Sequence, residues 1–206
     1  MMASTLYHEG NRALQDAFDS RRIADRLESV TLHPAFTERD RRFIEGLRYF
    51  FLATADADGR PDVSFKGGAP GFVRVVGENG LAFPDYDGNG MFKSLGNLSV
   101  NPTVGLLFID FESPRRLRVQ GRASISRDDP LLASTVGAQL IVRVTATAIF
   151  PNCPRYVPTM RMIEPSIYTP HDGVAPVEPG WKSEPEFADA VHPRQAVAGV
   201  AWPPSE

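Results

Sequence analysis

Cysteine and histidine are scarce in this 206-residue chain. A single cysteine, Cys153, excludes an internal disulfide and a cysteine-rich zinc site, and four scattered histidines (His8, His33, His171 and His192) show no metal-ligand spacing, so no metal is expected. No run approaches the roughly 18 apolar residues of a membrane span, and the N-terminus carries no apolar leader segment. The expectation is a soluble, cytoplasmic protein with no membrane partner. Charge of one sign is lacking too: 22 basic against 25 acidic residues give a net charge of −3, no field suited to nucleic acid. Hydrolytic signatures are missing: there is no Gly-x-Ser-x-Gly elbow, no paired His-Glu helix and no Walker lysine behind its glycine loop. Any enzymatic chemistry therefore points to a bound cofactor.

What is present suffices for one well-filled core, with 42% hydrophobic residues. Helix-like spacing of Leu14, Ala17, Phe18, Ala24 and Leu27 predicts one amphipathic helix over residues 11 to 29, lying on the domain. Thr37-Glu38-Arg39-Asp40 has the form of a capping box, with Phe43, Ile44 and Leu47 as the apolar stripe of a second helix. Short strand candidates follow: Phe50 to Ala55 and Pro61 to Lys66 about an Asp58-Gly59 turn, then Phe72 to Val76, Leu81 to Phe83, Val104 to Asp110, Arg116 to Arg122 and Leu140 to Phe150. Such strands, joined mostly by turns with one helix inserted between Phe83 and Pro102, predict a small antiparallel barrel. More than half of the 18 prolines lie from Pro151 onward, which reads as an extended arm over the surface.

The segment from Phe83 to Pro102 is the most informative. A strand runs into Pro84-Asp85-Tyr86-Asp87-Gly88-Asn89-Gly90 and then a short helix carrying Phe92, Lys93, Ser94 and Asn97. Unpaired N–H groups at a helix start, beside a lysine, suit an anion such as phosphate; a plain structural turn is the alternative. A calcium loop is not expected, because no glutamate follows until Glu112. Strand alternation places Asp62, Ser64 and Lys66 on one face and Val63 and Phe65 on the other. It likewise sets Arg116, Arg118, Gln120 and Arg122 opposite Leu117 and Val119. That row of cations is either an ordinary solvated face or, at Arg116 or Arg118, a ligand contact.

In order and spacing, Thr54 to Ser64, Phe83 through Phe92 to Asn97, Asn101 to Phe108 and Arg116 to Ala123 resemble the pyridoxamine 5′-phosphate oxidase-like family of FMN-binding split barrels. The likeness spans about Phe43 to Phe150. It implies a mainly β (α+β) fold: a six-stranded antiparallel split barrel with N-terminal helices, one inserted helix and an extended C-terminal arm. Residues 1–42 then form a helical segment packed on the barrel, 43–150 the FMN-binding barrel and 151–206 the arm. It further implies a homodimer with two FMN molecules shared between subunits. Carried over by position, Ser64, Phe65 and Lys66 lie on the flavin-facing strand, and Asp85, Tyr86, Asn89, Gly90, Met91 and Phe92 line the loop along the ribityl chain and ring. Lys93 falls at the phosphate, with Ser94 and Asn97 a helical step further. Arg116 stands where the family's vitamin oxidases carry a glutamine that reaches flavin across the dimer.

The departures also count. The loop before Lys93 is longer than in the vitamin oxidases, and their closing Arg-Leu-x-Pro segment is replaced by Ala201-Trp202-Pro203-Pro204-Ser205-Glu206, which argues against vitamin B6 oxidation. Pro151-Asn152-Cys153-Pro154-Arg155-Tyr156 resembles a less characterised FMN-binding subgroup. The leading expectation is an FMN-binding oxidoreductase that passes hydride between a small-molecule substrate or NAD(P)H and an acceptor. The alternative is a flavin-binding or sensing module without turnover. Lys66 and Lys93 together disfavour a scaffold that has lost FMN, and Cys153 is read as a small residue fixed between prolines rather than a redox thiol.

Overall fold

In the computed structural model, residue 4 and residues 6–191 are described. His192 and the chain end from Ala201 to Glu206 lie outside them.

The single N-terminal helix expected from periodicity is two: α1 (Glu9–Ala17) and α2 (Arg21–Thr31). Between them Asp19 takes a left-handed backbone (φ 47°), and the Ser20 amide closes back on Gln15 O at 2.7 Å, ending one helix before the next begins. Of the side chains expected to lie on the domain, Ala24 is buried, whereas Phe18 is 80% exposed, Leu14 63% and Leu27 49%. A backbone bridge between His33 and Ile149 ties the end of this hairpin to the barrel.

Helix α3 (Glu38–Gly46) starts at the capping box read from the sequence. Thr37 Oγ1 accepts from the Asp40 amide at 3.2 Å, and Asp40 Oδ2 accepts from the Thr37 amide at 2.9 Å. Ile44 is fully buried from this helix. Its polar side fixes the sheet edge: Glu45 Oε1 accepts from the Val75 amide and Arg41 donates to Val75 O, at 3.0 and 2.7 Å.

Seven strands, β1 (Tyr49–Ala55), β2 (Pro61–Gly67), β3 (Arg74–Val76), β4 (Gly80–Tyr86), β5 (Thr103–Asp110), β6 (Arg115–Ser126) and β7 (Ala138–Asn152), form one antiparallel split-barrel sheet in the order β2-β1-β5-β6-β7-β4-β3. The count exceeds the six implied by the resemblance because β3, three residues held by α3, adds an edge. Phe50 sits at the centre of the core, its ring 5.0 Å from Phe83, 5.2 Å from Phe108 and 6.0 Å from Phe72. Leu52, Leu106, Val119 and Val142 complete the interior, each large apolar side chain contributing about 1.5–3 kcal/mol by leaving water. At the β6 bulge, a Cβ on Gly121 would stand 2.4 Å from Thr145 O, so only glycine lets the two strands approach there.

Helix α4 (Lys93–Val100) is the inserted helix, and Leu95 and Leu98 seat it on the barrel. From Cys153 to Val191 the described chain is irregular, with turns and one short 3-10 helix at Gly180–Ser183. The Met160 amide donates to Phe111 O at 2.9 Å, Pro170 lies against Gly137, and Lys182 Nζ meets Asp87 Oδ2 at 2.7 Å. Among the described residues no helix is long and apolar enough to cross a membrane, and no group of three or more His, Cys, Asp or Glu side chains is placed to hold a metal.

Asp129 caps the turn that leads into β7 and is gripped by the Arg143 guanidinium through both carboxylate oxygens. That hydrogen-bonded pairing holds the Asp129 carboxyl below its ordinary range. A depressed folded value means the stabilisation is present above the ordinary aspartate value and is lost as pH falls through the folded one. Asp129→Asn should therefore lower the melting temperature at neutral pH, and the gap from wild type should close on acidification below about pH 4. A gap that stays constant under thermal denaturation from pH 7 to pH 3 would assign the loss to packing rather than charge.

Candidate functional site

The register of β2 on β1 pairs Asp62 with Thr54, Ser64 with Leu52 and Lys66 with Phe50. Since Thr54, Leu52 and Phe50 are buried, the polar side chains of β2 turn inward, toward α4 and β4. Val63 and Phe65 turn out and stand 66% and 62% exposed. This edge strand thus carries polarity inside and apolar surface outside.

Helix α4 meets the inward face through its first turn. Ser94 Oγ donates to Ser64 Oγ at 2.9 Å and lies 3.4 Å from Asp62 Oδ2. Asn97 is buried and its amide donates to Thr54 Oγ1 at 3.0 Å, fixing the helix to β1. The residue before the helix, Phe92, adopts a left-handed backbone (φ 48°), and no side chain caps the helix start. The first-turn N–H groups are consequently left to an outside acceptor. Lys93 is exposed beside them. Its charge also reaches Asp56, whose carboxyl is held low first by the Arg60 amide and, among lesser contributions, by Lys93. A Cβ-bearing residue in the left-handed region costs about 1–3 kcal/mol, and such strain concentrates at ligand sites.

Lys66 does not join Lys93. Its ammonium pairs with Asp85 Oδ1 at 3.5 Å, and the other Asp85 oxygen accepts from Gln139 Nε2 at 2.9 Å. Gln139 also donates to Tyr86 O at 3.2 Å, which locks the β4 end at its bulge. Burial pushes the Tyr86 phenol up, with Arg74 opposing, so it remains a neutral donor. The loop beyond is open: Asn89 Oδ1 accepts from the Met91 amide at 3.0 Å, Gly90 supplies a positive φ of 76°, and Met91 and Phe92 are exposed.

Apart from the loop residues Asn89 to Phe92 and Asn97, which holds α4 to Thr54, the expected residues fall into three groups. Ser64 and Ser94 are in contact, with Lys93 beside the same helix start. Lys66, Asp85 and Tyr86 form a second cluster around Gln139. Phe65 and Arg116 lie on the outer face of the sheet. Phe65 stacks on Tyr49 with centroids 5.6 Å apart, and Arg116 pairs with Ile109, opposite the buried Leu117. A groove of about 540 Å³ opens on that outer face, lined by Ala53, Gly105, Gln120, Arg122 and Thr147 among others, away from Ser64 and Lys66. Gln139 and Thr54 had no signal in the sequence, because Gln139 reaches Asp85 only through the pairing of β4 with β7 and Thr54 meets Asn97 only where α4 packs on β1. Asp62 was visible in the alternation.

A family model described as pyridoxamine 5′-phosphate oxidase matches residues 36–166. No curated protein matches. Among solved structures, a putative pyridoxamine 5′-phosphate oxidase from Lactobacillus delbrueckii is 24% identical, with 57% of this chain and 95% of that one covered at a TM-score of 0.47. An FMN-binding protein from Syntrophomonas wolfei is 12% identical, with 68% and 97% covered at 0.45. HutZ, the heme storage protein from Vibrio cholerae, is 23% identical, with 51% and 85% covered at 0.39.

The Lys66–Asp85 pair is largely shielded from water, so removing one partner strands the other charge. Lys66→Met should destabilise the fold by about 1–3 kcal/mol in urea denaturation, the usual loss for a buried group left unsatisfied. Adding Asp85→Asn to that variant should recover most of the loss. Additive losses in the double variant would show that the pair is not coupled.

Proposed function

Because the chain belongs to the pyridoxamine 5′-phosphate oxidase family, we propose that it is an FMN-binding oxidoreductase acting on a small-molecule substrate. The observation that carries this is the uncapped start of α4, whose first-turn N–H groups sit beside Lys93 and the hydroxyls of Ser94 and Ser64. Those donors fit a phosphate dianion. The helix dipole and one ammonium supply positive field, and the hydroxyls supply short directional bonds. Asp62, 3.4 Å from Ser94, opposes an anion and sets its position toward Lys93. When bound, the isoalloxazine ring supplies hydride acceptance and release, and this chain needs only to bind, orient and shield it.

The remaining assignments follow the same reading. Asp85, Tyr86, Asn89, Gly90, Met91 and Phe92 form the wall along the ribityl chain, and Lys66, poised on Asp85, faces the ring. Asn97 acts indirectly, by holding α4 on Thr54. Arg116 is on the opposite face of the sheet from Ser64, so one chain cannot bring both to one flavin. Two copies can, and a homodimer packed through Val63, Phe65, Phe51 and Leu107 gives the exposed apolar face of β2 a partner.

Two measurements test the reading. FMN should bind more tightly than riboflavin by flavin fluorescence quenching, and Lys93→Ala should weaken FMN about 10- to 100-fold while leaving riboflavin unchanged. Equal affinity for the two flavins removes the phosphate site. In sedimentation, wild type should be a dimer and Phe65→Asp a monomer with weakened FMN binding; a monomer holding FMN at full affinity refutes the shared site.

A further inference from the structure

The sequence holds two Asn-Gly steps, Asn79-Gly80 and Asn89-Gly90. Asparagine is among the thermolabile residues, and a following glycine leaves its side-chain carbonyl open to the next backbone nitrogen, since no Cβ stands in the way. The fold treats the two steps oppositely. Gly80 is built into β4, paired with Val76 on one side and Thr145 on the other. The Asn79 carbonyl accepts from the Ala146 amide at 2.8 Å, and its side-chain amide donates to Ala146 O at 3.4 Å. Nucleophile and electrophile are both held in the sheet there.

Asn89 instead sits in the middle of an exposed run from Asp87 to Lys93. Gly90 belongs to no strand or helix, has a φ of 76°, and a Cβ placed on it would meet nothing within 4 Å beyond its chain neighbours. The Asn89 side chain is turned along the chain, with Oδ1 accepting from the Met91 amide at 3.0 Å. That bond carries the side-chain carbonyl across the intervening Gly90 nitrogen. It also sets an N–H donor on the oxygen that gains negative charge when the carbonyl is attacked. Asp87, the other residue of this loop with a glycine after it, is paired with Lys182 as a carboxylate, a poor electrophile.

We propose that Asn89 is a site of spontaneous covalent modification, deamidation through a cyclic imide, and that the fold selects it over Asn79. The Gly90 nitrogen attacks Asn89 Cγ and closes the imide ring. The bond from Cγ to the side-chain nitrogen breaks, and that nitrogen leaves as ammonia with the proton given up by Gly90. Water then opens the ring at either carbonyl and returns a proton to the ring nitrogen, giving aspartate or isoaspartate. Either product puts a new negative charge in the loop that leads to Lys93 and the uncapped start of α4. Resting on the FMN reading above, that charge opposes the phosphate and weakens FMN binding.

The test is peptide mapping by mass spectrometry on the full chain incubated at mildly alkaline pH, with isoaspartate counted by enzymatic methylation. In the folded chain Asn89 should convert while Asn79 stays intact, and in urea the two should convert at similar rates. Equal conversion in the folded chain, conversion of Asn79 first, or no conversion of Asn89 overturns the proposal. So does a preference for Asn89 that survives unchanged in urea, because flanking residues rather than the fold would then set it. For the consequence, Asn89→Asp should bind FMN about two- to fivefold more weakly, the range of exposed charge contacts, with riboflavin unchanged. Unchanged FMN affinity overturns that consequence alone. Failure of wild type to bind FMN overturns the FMN reading, while the wild-type peptide map, which needs neither flavin nor variant, still decides the modification.

Discussion

The alternation of β2 against β1 is the constraint on which the rest of this molecule turns. Pairing Leu52 with Ser64 and Phe50 with Lys66 fixes the inward face of an edge strand, and that face is polar. A one-residue slip would bury Val63 and Phe65 and expel Ser64 and Lys66. The observed register is held by the full length of the hairpin and by the Asp56–Arg60 turn, with Gly59 at φ 81°. From that choice follow both the contacts at α4 and an outer sheet face that leaves Val63 and Phe65 exposed.

Inward polar groups are tolerated because each is met. Ser64 is met by Ser94, Thr54 by Asn97, and Lys66 by Asp85, which Gln139 holds in turn. In the low dielectric near the core these contacts are worth more than in water, and any one left unmade costs more. They also join β2, β4, α4 and β7 into one frame around the open loop from Asp87 to Phe92.

What was legible in the sequence was whatever local chemistry decides. The Thr37 capping box, the Asp58-Gly59 hairpin turn, the strand alternation and the helix at Lys93 each depend on residues within a few positions of one another, and each is found. The N-terminal helix was misread because Ala17 and Leu27 keep helical spacing across Asp19, where a left-handed residue breaks the rod without disturbing the pattern. Phe18 and Leu14 mimic a core stripe yet remain exposed. The third strand, read from Phe72 to Val76, was among the seven candidates, and the resemblance alone implied six; what nothing local could say was that Glu45 and Arg41 would hold its three residues at the edge. Gln139 was invisible for a related reason: its partner Asp85 lies 54 residues away in sequence, and only β-pairing brings the two together.

On the proposed reading, a site divided between the two faces of one sheet would tie cofactor binding to association. In a two-fold dimer each outward contact occurs twice, so burial of Val63 and Phe65 from both copies recovers about 1.5–3 kcal/mol per side chain. The entropy lost on association is estimated at about 4–15 kcal/mol, of the same order. The apolar face alone then leaves the dimer near balance. A ligand held by Lys93 of one copy and Arg116 of the other adds about 2.7 kcal/mol of linkage at a hundredfold excess over its dissociation constant. Two such sites per dimer are enough to decide the assembly. Under that arrangement the inverted polarity of β2 has a physical reason: its inner face serves the cofactor of its own chain, and its outer face brings the copy that completes the site.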